Sequence, residues 1–430
     1  MTSGKIISEN IKKLRAKFGL TQDDLAKKAD IKYTTLTKVG ISAVNRPSVQ
    51  TMAKIAKALG VSIEDLISKI MENNKIVKVL QDFWPKNKAK GLLAQSILAN
   101  EIEKDFFGKN GKNKFLPGCW LLAPKNFNFY KFRFSFFIHH SPISEKQTKS
   151  ISCEELLGNF YRPFHAIAEF LNNAGIGVIY TIPFTKDGRL PYNEMEKRFF
   201  QNIGWIFFNF ENGNFRFKNP IEFFEKWGGE KGRASYGGNW DNDVLKNIKK
   251  LDEKILIKLL LNELFYIGFI KSVLKKPLND PYDVDSFLMS MSQRFIFPME
   301  IKEKFAGENQ HDKFFGIDAG RVMMLLRLCL PNDANAIYLI RELDDAGRFI
   351  DWKYITLSDI IMSASWNLQA GGPGMGGQST QTIRLPYKYF KKFDESAISE
   401  GNLRIIGNMP KDIKNIAKTF AEEISQRFYK

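Results

Sequence analysis

The chain has 430 residues and carries 64 Lys and Arg against 47 Asp and Glu, a formal net charge of +17. That length allows two or three domains with full cores, and the basic excess argues for a polyanionic partner rather than a small metabolite. Three scattered cysteines (Cys119, Cys153, Cys329) and four histidines without ligand spacing exclude a disulfide framework and a zinc site, and no uninterrupted apolar run reaches membrane length, so a cytoplasmic protein with no membrane partner is expected.

Residues 7–70 read as five short helices, with thirteen basic against six acidic residues over 1–70. Thr21 is placed to cap a helix beginning at Gln22, with Asp23 and Asp24 in its positive first turn. A turn over 30–32 leads into a second helix from Thr34 with Leu36 inward. Ser48 caps the next helix, whose inner face carries Met52, Ile55, Ala56 and Leu59, and Gly60 ends it. This pattern resembles the Cro/repressor-type helix-turn-helix family. The resemblance implies a DNA-binding domain over 1–72, with Lys32, Tyr33, Thr34, Thr35, Thr37 and Lys38 at base edges and Gln22 near a phosphate or base. Asp30 stands where a glycine is common, a position that aspartate tolerates.

Beyond Asn73 and Asn74, read as a hinge, the texture becomes aromatic. "KFRFSFFIH" and "GVIYTIPF" read as strands with a helix between them, and "WIFFNFENGNFRF" as a hairpin turning at Asn212 and Gly213. The paired His139 and His140 read as packing residues. No chemistry is evident over 75–240, taken as an α+β region of unassigned role (DNA contact, dimerisation or an elaboration of the C-terminal region). The glycine-rich segment 228–243 lacks the order of a phosphate loop.

From 251 the pattern sharpens. A long helix carries Glu263 in its apolar middle. Two strands come next, one headed by Asp280, Asp283 and Asp285, the other ("RFIFPMEIKEK") ending in Glu300, Ile301 and Lys302. Residues two apart share a strand face, so Glu300 and Lys302 project together while Ile301 turns to the core. Two carboxylates and the Ile301 carbonyl form a hard-oxygen site suited to Mg2+, and Lys302 would orient or help deprotonate water and steady a pentavalent phosphate.

Residues 251–343 resemble the PD-(D/E)xK nuclease superfamily, and within it the type II restriction endonucleases. The implied fold is multidomain: an all-α helix-turn-helix bundle followed by a larger α/β, restriction-endonuclease-like domain with a mixed central sheet, its nuclease core within 245–430. The implied catalytic set is Asp285, Glu300 and Lys302 with Glu263 as an accessory acid, and the implied cofactor is Mg2+. Asp283 remains the alternative metal ligand, because the leading pair is written Pro281-Tyr282-Asp283-Val284-Asp285. The implied partners are double-stranded DNA, a second copy in a homodimer, and a cognate DNA methyltransferase as genetic partner, all serving host defence. In the C-terminal part, a glycine run precedes a polar strand in which Gln378, Gln381 and Arg384 have the donors and acceptors to read base edges. The competing expectation is a transcriptional regulator with a non-catalytic C-terminal sensor or oligomerisation region.

Overall fold

The computed structural model describes residues 3–41, 43–44, 47–61, 63, 66, 76–81, 113–124, 132–190, 202–225, 227, 245, 248, 251–276, 278, 281–290, 295–308, 312–373, 379–394, 397, 411 and 415. The glycine-rich segment 228–243 and the hinge at Asn73 and Asn74 lie outside them.

The N-terminal region holds α1 (Ser3–Lys17), α2 (Gln22–Lys28), α3 (Tyr33–Gly40) and α4 (Val49–Leu59). Thr21 and Asp24 close α2 reciprocally as a capping box, and Ser48 caps α4. Gly60 adopts φ +68° to end α4. Ile7, Ile11, Leu25, Leu36, Val39, Met52, Ile55, Leu59 and Leu66 form a core drawn from this region alone. Asp30 turns the chain with φ +50°, and Lys54 Nζ holds its carbonyl and its carboxylate at 2.9 and 2.8 Å. The turn therefore keeps an aspartate because a lysine two helices away fixes both of its oxygens.

The larger region is built on one mixed sheet of eleven described strands. Its central path runs β15 (Lys391–Lys392), β12 (Phe349–Thr356), β11 (Ile337–Leu343), β8 (Phe295–Phe305), β7 (Tyr282–Ser290), β1 (Asn113–Leu122), β2 (Phe134–Ile138), β4 (Gly177–Thr185), β5 (Gly204–Glu211) and β6 (Asn214–Lys218), with β3 (Ile143–Ser144) beside β4. Pairings are antiparallel except β8 with β11, β2 with β4 and β3 with β4. The β5–β6 hairpin turns at Asn212 and Gly213, both at positive φ, as that dipeptide demands. A second sheet of four described strands joins β13 (Ser365–Pro373), β14 (Ser379–Pro386), β10 (Lys313–Asp318) and β9 (Gly307–Glu308) in that order.

Strand alternation sorts the two faces of the main sheet. Phe137, Phe287, Tyr338 and Ile340 face one core together with the helices Tyr161–Asn173 and Ala319–Cys329. Phe136, Ile138 and Phe207 face another, packed against the helix Glu253–Glu263 and its π-helical continuation Leu264–Val273. β1 pairs with β7 over eight registered positions, so 113–218 and 282–356 share one hydrogen-bonded layer that runs across the boundary expected between 240 and 245.

Candidate active site and nucleic-acid interface

Glu300 sits in the middle of β8 and not at its end, because β11 continues the pairing as far as Phe305 after β7 has left. The antiparallel register matches Ser286 with Met299, which sets Asp285 across from Glu300. Ile301 is buried on the opposite face among Phe297, Met299 and Leu339. The side chains of Asp285 and Glu300 are 2% and 0% exposed, and Lys302 bridges them, with Nζ 2.8 Å from Glu300 Oε1 and 3.8 Å from Asp285 Oδ2. Because β7 no longer pairs at this height, the Ile301 N–H donates to Asp285 Oδ2 at 2.6 Å.

The electrostatics follow from burial. Burial pushes the Asp285 carboxyl up to about 8, with Lys302 pulling against it and Glu300 and Asp283 adding to it. Burial depresses Lys302, yet Asp285 and Glu300 outweigh it and leave that amine at about 12. Lys302 is thus an ammonium at neutral pH. In that form it can orient a water or steady an anion. Lys304, next on the same face, donates to the Gly316 carbonyl at 2.5 Å, and burial brings it down to about 8.

Glu263 does not join this group. It is buried on the Glu253–Glu263 helix, between Leu260 and Leu264 of the other core, so the sheet separates its layer from the face that carries Asp285 and Glu300. An acid inside an apolar helix was a sound signal of burial, but periodicity cannot tell which face of a sheet the helix covers.

Two contributors escaped the sequence. Arg321, in the first turn of Ala319–Cys329, grips Asp283 through Nη1 to its carbonyl and Nη2 to Oδ1, both at 2.6 Å, and sets Nε 3.5 Å from Glu300 Oε1. Gly118 lies where β1 passes Asp285; a Cβ there would stand 1.7 Å from the Val284 carbonyl oxygen and 2.5 Å from that of Asp285. Neither has a local motif, since each matters only through partners more than 20 residues away.

His139 Nδ1 meets the Tyr180 hydroxyl at 2.6 Å, and burial, with Lys258 beyond, lowers His140 to about 3. Both are packing residues. On β14, Gln381 is exposed while Arg384 is half-buried, with its guanidinium 4.5 Å from the centre of the Phe314 ring. They fall on opposite faces of the strand, so one groove-facing surface cannot present both. Gln378 lies outside the described residues.

In the N-terminal region, Lys32, Tyr33, Thr34 and Lys38 are exposed at the start and along the outer face of α3, and Leu36 is buried. Thr35 and Thr37 are half-buried. Gln22 Nε2 donates to Thr37 Oγ1 at 3.1 Å, and that hydroxyl donates to the Tyr33 carbonyl. Gln22 and Thr37 therefore lock α2 to α3 and leave Lys32, Tyr33, Thr34 and Lys38 as the projecting set. Among the described residues no helix is long and apolar enough to cross a membrane. No curated protein and no solved structure matches the chain. Residues 11–66 match the helix-turn-helix family model, and with the geometry of α2 and α3 this segment is a helix-turn-helix DNA-binding domain.

Proposed function

We propose that the chain is a Mg2+-dependent, sequence-specific endonuclease of the type II restriction class, acting on double-stranded DNA. The observation that carries this reading is the pair of buried carboxylates, Asp285 and Glu300, facing each other across the β7–β8 hairpin with the Lys302 ammonium between them. Structural ion pairs seldom bury two acids side by side, because desolvation and like charge both oppose it.

Among the described residues no cluster of three or more His, Cys, Asp or Glu side chains could hold a metal ion. Mg2+ needs fewer, since it takes one or two carboxylates and completes its shell with water and substrate phosphate. The residues present fit that demand. Among the described residues Glu300 Oε2 is buried without a hydrogen-bond partner, and burial raises the Asp285 carboxyl to about 8 even with Lys302 beside it, so a divalent cation placed here would favour its ionised form. On an extended strand the N–H and C=O of one residue leave on the same side, so the Ile301 carbonyl opens beside the Asp285 that its N–H addresses. Asp285, Glu300 and the Ile301 carbonyl would hold the ion, with Asp283 withdrawn by Arg321. When bound, it would polarise a phosphodiester and lower the pKa of a coordinated water. Lys302 orients the attacking water and offers its charge to the phosphate as negative charge builds up. Cutting both strands of a palindrome calls for a homodimer, and an active enzyme of this class calls for a methyltransferase that shields host DNA.

The helix-turn-helix match over 11–66 favours a second reading, a transcriptional regulator whose large region senses or oligomerises. Purified protein incubated with unmethylated plasmids and Mg2+ decides between them. Discrete fragments are expected from the wild-type chain, with rates about 10²–10³-fold lower for Lys302→Ala and Glu300→Ala. Equal cutting by the variants would remove the site assignment. Tight binding to one operator, with no plasmid cut, would establish the regulator.

A further inference from the structure

Resting on the nuclease reading above, we propose that Arg321 is a positioning residue that closes Asp283 to metal, so that the site takes one divalent cation and not two. Asp283 stands two residues before Asp285 on β7 and within one guanidinium's reach of Glu300, so a second ion would have to draw on it, and with Arg321 in place the described acids form no three-residue cluster that could hold a metal ion. The structure gives them different partners. Asp285 faces Lys302 and the Ile301 N–H, whereas Asp283 is held through both its side chain and its main chain by one guanidinium.

The planar fork of arginine suits this double grip, which a lysine cannot reproduce. With Nη1 and Nη2 on Asp283 and Nε toward Glu300, the guanidinium is occupied by the chain's own acids. Its side chain is 13% exposed, its Cζ lies 5.5 Å from the Tyr282 ring centre, and it springs from the first turn of a helix whose Asp318 cap receives the Gly320 N–H. Placement on that helix makes the clamp rigid. Arg321 also repels any cation approaching Asp283, while its looser contact with Glu300 leaves Oε2 to the metal.

The test counts Mn2+, used alone as the probe, bound to the full-length chain by solution electron paramagnetic resonance, a readout independent of cleavage. One ion per chain is expected for wild type and none for Glu300→Ala. Arg321→Ala is expected to take up a second ion, and Arg321→Ala combined with Asp283→Asn to lose it again. Arg321→Gln, which keeps the length without the charge, serves the same purpose if the alanine variant does not fold, with circular dichroism reporting the fold of each. Two ions on wild type, or one on a folded Arg321→Ala or Arg321→Gln chain, would overturn the role of Arg321 and leave the nuclease reading standing. No bound Mn2+ on wild type would overturn both.

Discussion

Lys302 shows how much a single side chain owes to its neighbours. Alone, a lysine buried beside apolar residues would shed its proton; between Asp285 and Glu300 it keeps it. Gly118 makes the complementary point with no side chain. It allows the backbone of β1 to close on the carbonyls of Val284 and Asp285, where even a methyl group would overlap main-chain atoms that cannot step aside. Gly118→Ala is therefore expected to destabilise the chain by about 3 kcal/mol, at the upper end of ordinary overpacking, with a matching drop in the urea midpoint. An unchanged midpoint would mean that β1 does not pass Asp285 this closely. The Glu300-x-Lys302 spacing was legible in sequence because a strand has period two. That Asp283 pairs with Arg321 while Asp285 stands beside Lys302 was not, because it depends on a helix 38 residues downstream of Asp283.

At the scale of elements, local rules served well where the element supplies its own reasons. The capping box of α2, the serine cap and left-handed glycine of α4, and the Asn212–Gly213 hairpin all follow from short-range hydrogen bonding. They failed for the Glu253–Glu263 helix, whose burial was legible and whose sheet face was not. The same helix sets a pH dependence. Burial, then Lys258 and His139, hold the His140 imidazole neutral, lowering it from 6.5 to about 3 while Asn262 hydrogen-bonds to it. As pH falls below 6.5 the unfolded chain takes up that proton and the folded chain does not. This contribution to stability is complete above 6.5 and drains away toward 3, at no more than about 1.4 kcal/mol per pH unit. Denaturant titrations at pH 7, 5.5 and 4.5 should show His140→Gln losing less stability on acidification than wild type; parallel losses would place the proton elsewhere.

Across the whole molecule, cores decide what can stand alone. The apolar cluster of the helix-turn-helix draws only on residues 7–66, so a 1–72 fragment is expected to melt cooperatively by circular dichroism. By contrast, fragments 75–240 and 245–430 expressed separately are expected to aggregate, since each would expose an unpaired central strand, β1 in one and β7 in the other. Soluble, folded halves would contradict the continuous sheet. The helix-turn-helix, the strands and hairpins of the larger region, the shared face of Glu300 and Lys302 and the basic charge were legible in the chain, because each rests on periodicity, capping or composition within a few residues. That 113–218 and 282–356 are one sheet, that Glu263 lies behind it, and that Arg321 takes Asp283 and leaves Asp285 beside Glu300 emerged only once the chain was folded. Those outcomes depend on strand order and on which face each helix covers, and neither is written in any local stretch of the chain.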